Sequence, residues 1–300
     1  MVRHQVLQEL AQLEGEIMVN EPMFRHTTWR IGGSADILVM PKSIPALKNC
    51  LELAERHQLA VTVIGNGSNV LVRDGGIRGM VIKTTLLTAV ELDGTIIKAE
   101  GGFPLPALVQ VSAKAGLQGL EFAAGIPGTL GGALAMNAGA GQGSFNDILR
   151  EVTVIKENGT IETLSPHQIS FGYRKSSLKK PGQIIVAAVL ALAPGSPAEI
   201  QQKIKELLQS RRAKQPLNWP NAGSVFANPA GYAAGYLIEQ TGAKGLTRGR
   251  AQVSELHANF IINLGGATAG DVEGLIEEVR RRVMDKYGIE LWLEIQIFGE

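Results

Sequence analysis

Two glycine-rich loops hold the residues whose types and spacing point most directly to chemistry. The first, Gly65-Asn66-Gly67-Ser68-Asn69, directly follows the β-branched run at 61–64. Gly65 and Gly67 permit tight backbone angles that leave N–H groups free to face an anion, and Ser68 and Asn69 add hydrogen-bonding side chains. A plain β-turn is the alternative reading. The loop is not the Rossmann fingerprint, because the third glycine and the following helix are missing. The second loop, GIPGTLGGALAMNAGAG, spans 125–141. Ile126, Pro127, Gly128, Thr129, Gly131 and Gly132 form a bend bare of side-chain bulk, and Asn137, Ala138 and Gly139 extend it. Backbone so bare suits a flat or phosphorylated ligand. Two such loops suggest a dinucleotide with its pyrophosphate between them, and NAD, FAD and a nucleotide sugar all satisfy that.

Single polar residues are less telling on their own. Ser224, in NAGSVFANP, lacks the G-x-S-x-G context of a nucleophile elbow and reads as a serine at the start of a short strand over 224–227. Glu294 is a single acid in the apolar run LWLEIQIFG. An unpaired carboxylate is costly to bury. Strand alternation with Leu293, Ile295 and Ile297 puts it on the opposite, outward face. Arg174, taken alone, is a solvated charge in a basic loop. His257, a lone histidine, reads as structural.

These residues need elements to position them. Three hundred residues exceed one ordinary core and imply two or three domains, and 45% hydrophobic content supplies the material. A net charge of +1 calls for neither nucleic acid nor an acidic membrane surface. The single cysteine, Cys50, excludes an intramolecular disulfide, and no metal site is expected. The amphipathic N-terminal segment lacks the apolar run of a signal peptide. No stretch of about 20 apolar residues exists to cross a membrane. A cytoplasmic protein is the expectation, as a monomer with an oligomer left open. Strands are expected at 35–41, 61–65, 69–74, 79–84, within 182–194, at 258–263 and at 291–299. Hairpins turn at Asp93-Gly94 and Asn158-Gly159. Helices are expected at 43–60, 104–116, 196–213 (opened by a Ser196–Glu199 capping box), about 233–241 and 268–288.

Seven motifs in order carry a family resemblance: TTWRIGGSAD (27–36), GNGSN (65–69), GLEFAAGIPGTLGGALAMNAGA (119–140), FGYRKS (171–176), QPLNWPNAGSVFANP (215–229), AQVSELHANFIIN (251–263) and LWLEIQIFG (291–299). From about residue 20 to its end the chain resembles the UDP-N-acetylenolpyruvoylglucosamine reductases, the MurB flavoenzymes. The resemblance implies an α+β, three-domain flavoprotein with a vanillyl-alcohol-oxidase-like (PCMH-type) FAD-binding fold and a C-terminal α+β substrate domain. The expected division is residues 1–90 and 91–214 for the two FAD-binding lobes and 215–300 for the substrate domain. The implied reaction has NADPH reduce FAD. Hydride then passes to C3 of UDP-N-acetylglucosamine enolpyruvate, and the product is UDP-N-acetylmuramate.

Residue by residue, the resemblance makes Ser224 the proton donor to C2. It makes Arg174 and Glu294 the groups that stabilise the enolate. The glycine loops become the FAD site. Tyr173, Lys214, Asn228 and His257 match substrate-contacting positions. No cysteine or histidine stands where a covalent flavin link would be expected, so the FAD is expected to be non-covalent.

The chain departs from the family at two places. Ala227 replaces the usual lysine of F-K-N-P, so charge for the diphosphate must come from elsewhere, with Lys214 as candidate. Gly141 replaces a frequent aromatic. The short interval between Arg174 and Gln215 points to the loop-lacking type II class. Two other readings stay open. An FAD-dependent oxidase of the same fold would use both loops without needing Arg174, Ser224 and Glu294 together. A nucleotide-sugar binding protein without catalysis is disfavoured by the presence of all three.

Overall fold

The computed structural model describes residues 4–139 and 143–300, so Gly141 lies outside the described residues. The chain divides into two compact units. The first comprises Met1–Val19, Asp36–Asn66 and Gly79–Gln209; the second comprises Asn20–Ala35, Gly67–Arg78 and Ser210–Glu300.

The chain opens with α1 (His4–Leu10), β1 (Gly15–Pro22), β2 (Ser34–Pro41), α2 (Ile44–Arg56), β3 (Val61–Ile64), β4 (Val70–Val72) and β5 (Ile77–Lys83). Four of the strands form a sheet in the order β1-β2-β5-β3, with β3 and β5 parallel. Helix α2 begins where Ser43 Oγ accepts the Ala46 N–H, with proline in its first turn. Its apolar stripe, Ala46, Leu47, Cys50, Leu51, Leu53 and Ala54, packs with Ile37, Val39, Met80 and Ile82. Cys50 is fully buried, and desolvation of its thiolate pushes the thiol up to about 12. A colorimetric disulfide reagent should therefore leave the native protein unlabelled and titrate one thiol only after denaturation.

The first unit continues with β6 (Val90–Asp93), β7 (Ile96–Glu100), α3 (Leu105–Lys114), β8 (Leu117–Gln118), α4 (Leu130–Ala135), α5 (Phe145–Ile148), β9 (Leu149–Lys156), β10 (Ile161–Leu164), β11 (Phe171–Gly172), β12 (Lys175–Ser176), β13 (Gln183–Ala191), β14 (Ala193–Pro194) and α6 (Pro197–Lys214), whose last turn belongs to the second unit. An antiparallel five-stranded sheet runs β10-β9-β13-β7-β6, and β8 pairs with β14. A second core, distinct from that of α2, gathers Ile97, Leu108, Leu134, Phe145, Val152 and Leu190. The hairpin expected at Asp93-Gly94 is shifted by one residue. Asp93 pairs with Ile96, so Gly94 and Thr95 make the turn, with Gly94 taking the positive φ of 55°.

The second unit contains α7 (Ala234–Gln240), β15 (Thr247–Arg248), β16 (Ala251–Val253), β17 (Ile261–Asn263), α8 (Ala269–Tyr287) and β18 (Gln296–Phe298), which pairs in parallel with β4. Strands β15-β16-β17 form an antiparallel sheet. Helix α8 is closed at both ends. Thr268 and Asp271 form a reciprocal capping box, and Gly288 ends the helix at φ 65°. The Thr268 N–H holds the Asp271 carboxyl below its usual range, so this cap is intact at neutral pH and is lost only as pH falls through that depressed value.

Two expected strands differ in the structure. Residues 224–227 make a single bridge, Phe226 to Leu293, rather than a strand. The closing run breaks after Leu293, with Glu294 and Ile295 in a bend before β18 begins. Side chains substitute for the missing strand partners in both cases, as the site geometry makes clear. Among the described residues no helix is long and apolar enough to cross a membrane. No cluster of three or more His, Cys, Asp or Glu suited to a metal occurs among them either.

Candidate functional site

The two glycine loops touch within the first unit. Asn66 Nδ2 donates to the Pro127 carbonyl at 2.8 Å. A Cβ at Gly65 would lie 2.4 Å from Thr129 Oγ1, so only glycine lets the turn after β3 approach the turn before α4. Gly131 has a different reason. Its N–H donates to the Gly101 carbonyl at 2.8 Å, and a Cβ there would stand 3.0 Å from that oxygen. It is a packing glycine that brings α4 onto the sheet. The Gly132 N–H is engaged by Thr129 Oγ1, and the Gly128 carbonyl accepts from Leu105. Ile126 and Ala138 rest half-buried against the core.

Asn137 joins this loop to the next candidate. It adopts a left-handed φ of 42°, and its Nδ2 donates to the Gly172 carbonyl at 3.0 Å. Its buried Oδ1 has no hydrogen-bond partner among the described residues. An unmatched buried acceptor costs about 1–3 kcal/mol unless a donor arrives.

Arg174 stands at the tip of the β11–β12 hairpin, where Gly172 pairs with Lys175 and leaves Tyr173 and Arg174 as the turn. Its φ of 54° is left-handed, a conformation costing an ordinary residue roughly 1–2 kcal/mol. Contacts hold it there. Its guanidinium Nη1 donates to the Gly139 carbonyl at 2.7 Å, and its Cζ lies 5.5 Å from the centroid of the exposed Tyr173 ring. Ser176 Oγ moors the hairpin to the carbonyls of Leu134 and Ala135 at the end of α4. The arginine that read as a solvated charge is thus a fixed one.

Ser224 and Glu294 both belong to the second unit, and it brings their segments together. The Glu294 N–H donates to Val225 O and the Ala227 N–H to Trp292 O, flanking the Phe226–Leu293 bridge. Ser224 follows Gly223, whose φ is 76° and whose N–H is taken by Asn221 Oδ1. The Glu294 bend is held by Asn69, whose Nδ2 donates to Glu294 O at 3.0 Å and whose carbonyl accepts the Gln296 N–H at 2.9 Å. This amide turns the chain onto β4 and breaks the strand expected there. Half-buried in a bend, Glu294 is not the outward-facing strand residue that alternation suggested.

The remaining positions are less committed. Lys214 is exposed at the end of α6. Asn228 Oδ1 accepts the Ala234 N–H at 2.9 Å at the start of α7. His257 packs edge-on against Phe260, and burial pushes its imidazole below the ordinary range. Sequence reasoning missed two residues. Thr28 Oγ1 donates to Asn221 O at 2.7 Å while its N–H donates to Gly67 O, tying the glycine loop to the serine loop. Asn259, a fully buried amide, grips Phe226. The signal for the second was a polar residue inside an apolar strand pattern.

Comparison with known proteins places this geometry. A family model described as FAD binding domain matches residues 35–165, and one described as UDP-N-acetylenolpyruvoylglucosamine reductase, C-terminal domain, matches residues 215–298. The fold is that of an α+β flavoprotein, with a PCMH-type FAD-binding domain and a separate C-terminal domain. The chain is 50% identical to the UDP-N-acetylenolpyruvoylglucosamine reductase of Moorella thermoacetica, over 96% of this chain and 95% of that one. It is 46% identical to that of Desulforamulus reducens, with the same shares covered. The solved structure of the Thermus caldophilus enzyme superposes with a TM-score of 0.81 at 36% identity, over 95% of this chain and 99% of that one. With half its residues shared along nearly its whole length, the chain belongs to the UDP-N-acetylenolpyruvoylglucosamine reductase family.

Proposed function

We propose that the protein reduces UDP-N-acetylglucosamine enolpyruvate to UDP-N-acetylmuramate in peptidoglycan precursor synthesis, with NADPH as electron donor and FAD as cofactor. The observation that carries this reading is the 50% identity across 96% of the chain. The residues present fit an FAD. Two side-chain-poor loops meet at Asn66–Pro127 and Gly65–Thr129, and the buried Asn137 Oδ1 awaits a donor. Bound FAD supplies the hydride carrier between NADPH and the vinyl carbon. We infer a non-covalent attachment, in keeping with the burial of Cys50.

The protein's own groups handle the charge that hydride addition creates. Negative charge develops on C2, conjugated with the substrate carboxylate. Arg174 is a permanent cation whose planar fork suits that carboxylate, and its left-handed turn and Gly139 contact pre-set its position. Glu294 helps stabilise the enolate and orient the proton. Ser224 delivers the proton to C2. A hydroxyl is a weak acid, so this step relies on placement beside a strongly basic carbon. Tyr173, Lys214, Asn228 and His257 are read as contacts to the nucleotide sugar, with Lys214 supplying charge in place of Ala227. The short Arg174–Gln215 interval supports the type II class, and the two cores of the first unit support two FAD-binding lobes.

The test is an anaerobic titration. The flavin-loaded protein is reduced with NADPH, UDP-N-acetylglucosamine enolpyruvate is added, and visible absorbance is followed. Reoxidation without oxygen is the expected result. A flavin that stays bleached until air enters would sink this reading. A second expectation concerns the loops. Gly65→Ala should force Thr129 away and weaken flavin retention by at least tenfold, read as flavin released on gel filtration.

A further inference from the structure

Ser224 precedes a stretch of backbone that is bridged to another extended segment on only one side. Trp292 and Glu294 hold that side, through Ala227 N–H and Val225 O. On the other side, no strand pairs with Phe226 among the described residues, yet its N–H and C=O are both engaged. The partner is one side chain. Asn259 Oδ1 accepts the Phe226 N–H at 2.9 Å, and Asn259 Nδ2 donates to Phe226 O at 2.8 Å. The Asn259 carbonyl accepts the Val225 N–H at 2.8 Å. Three hydrogen bonds from one residue thus replace a strand.

We propose that Asn259 is a positioning residue for proton delivery: its side chain holds Phe226 and so keeps the Val225 N–H on the Asn259 carbonyl, which together fix the Ser224 hydroxyl through the Ser224–Val225 peptide. This rests on the reading of Ser224 as the proton donor. The Val225 N–H belongs to the peptide unit that begins at the Ser224 carbonyl, so gripping it sets the backbone angle on the C-terminal side of Ser224. On the N-terminal side Gly223 is fixed by Asn221. The serine is therefore clamped from both directions.

Asn259 is itself held rigidly. It is 3% exposed and is flanked in the chain by the buried Ala258 and Phe260. Its N–H donates to His257 Nδ1 at 3.2 Å, which assigns the hydrogen of the neutral ring to Nε2. The ring packs edge-on at 4.8 Å from Phe260 and against Gly235, where a Cβ would come within 3.0 Å of Cε1. This gives His257 a supporting role behind Asn259. A buried amide with every polar group matched is rigid, and a rigid support is what a weak acid acting by placement requires.

The experiment uses the flavin-loaded protein and separates its two half-reactions by anaerobic stopped flow. Asn259→Leu, of similar volume, should leave NADPH-driven flavin reduction unchanged and slow reoxidation by the enolpyruvyl substrate by about 10- to 100-fold. The variant combining Asn259→Leu with Ser224→Ala should be no slower than Ser224→Ala alone, because one residue acts through the other. Amide hydrogen exchange at Phe226, whose acceptor is the Asn259 side chain, should quicken in Asn259→Leu. Where that variant does not fold, Asn259→Asp, which keeps the acceptor and loses the donor when ionised, carries the same cycle. Multiplicative losses in the double variant, or equal slowing of both half-reactions, would overturn the proposal. A Ser224→Ala protein with normal reoxidation would instead remove the Ser224 reading and take this one with it.

Discussion

Ser224→Ala should bind FAD and accept electrons from NADPH at the normal rate, then lose the second half-reaction by roughly 10²–10⁴-fold, the range for a general acid. The geometry makes this a clean substitution. The backbone around Ser224 is held by Gly223, Asn259 and the 292–294 segment, none of which needs the hydroxyl. Ser224 is half-buried, and removing its oxygen breaks no hydrogen bond among the described residues. The measurement is single-turnover reoxidation under anaerobic conditions, with Ser224→Cys as a variant that restores a more acidic proton at nearly the same place. Normal reoxidation in the alanine variant would assign the proton to another group.

Arg174→Ala should cost a comparable amount, on the order of 10²–10³ in kcat, because a fixed cation facing developing charge is among the largest single contributions to such a step. Two companions separate charge from backbone. Arg174→Gly suits the φ of 54° without strain while removing the whole side chain, so it should be as inactive as alanine while folding at least as well. Arg174→Lys keeps the charge but loses the planar fork and its reach to Gly139, and should recover only part of the rate. Steady-state kinetics with urea unfolding would read both quantities. A lysine variant with full activity would show that a point charge suffices.

Much of the scaffold was legible because it obeys short-range rules. Helix α2 follows from Ser43 and its apolar spacing, and α8 from Thr268, Asp271 and Gly288. What was not legible depends on contacts between residues far apart in the chain. Residues 224–227 look like a strand because Val225 and Phe226 suit one. Nothing local says that a side chain more than thirty positions away will occupy one edge. Glu294 was assigned to an outward face by alternation, and alternation fails where Asn69 captures its carbonyl. Arg174 read as solvated because a positive φ at a non-glycine tip leaves no trace in composition. Gly131 drew attention for a ligand and serves the packing of α4.

The burial of Cys50 has a practical reach beyond its chemistry. A chain whose single thiol is sealed in α2 is already a cysteine-silent background for spectroscopy. One engineered surface cysteine in each unit, for instance at Ile161 and at Leu256, both about half exposed, would accept a pair of dyes or spin labels without touching the native thiol. The distance between such labels, recorded with and without NADPH or substrate, would follow the two units through a catalytic cycle in solution.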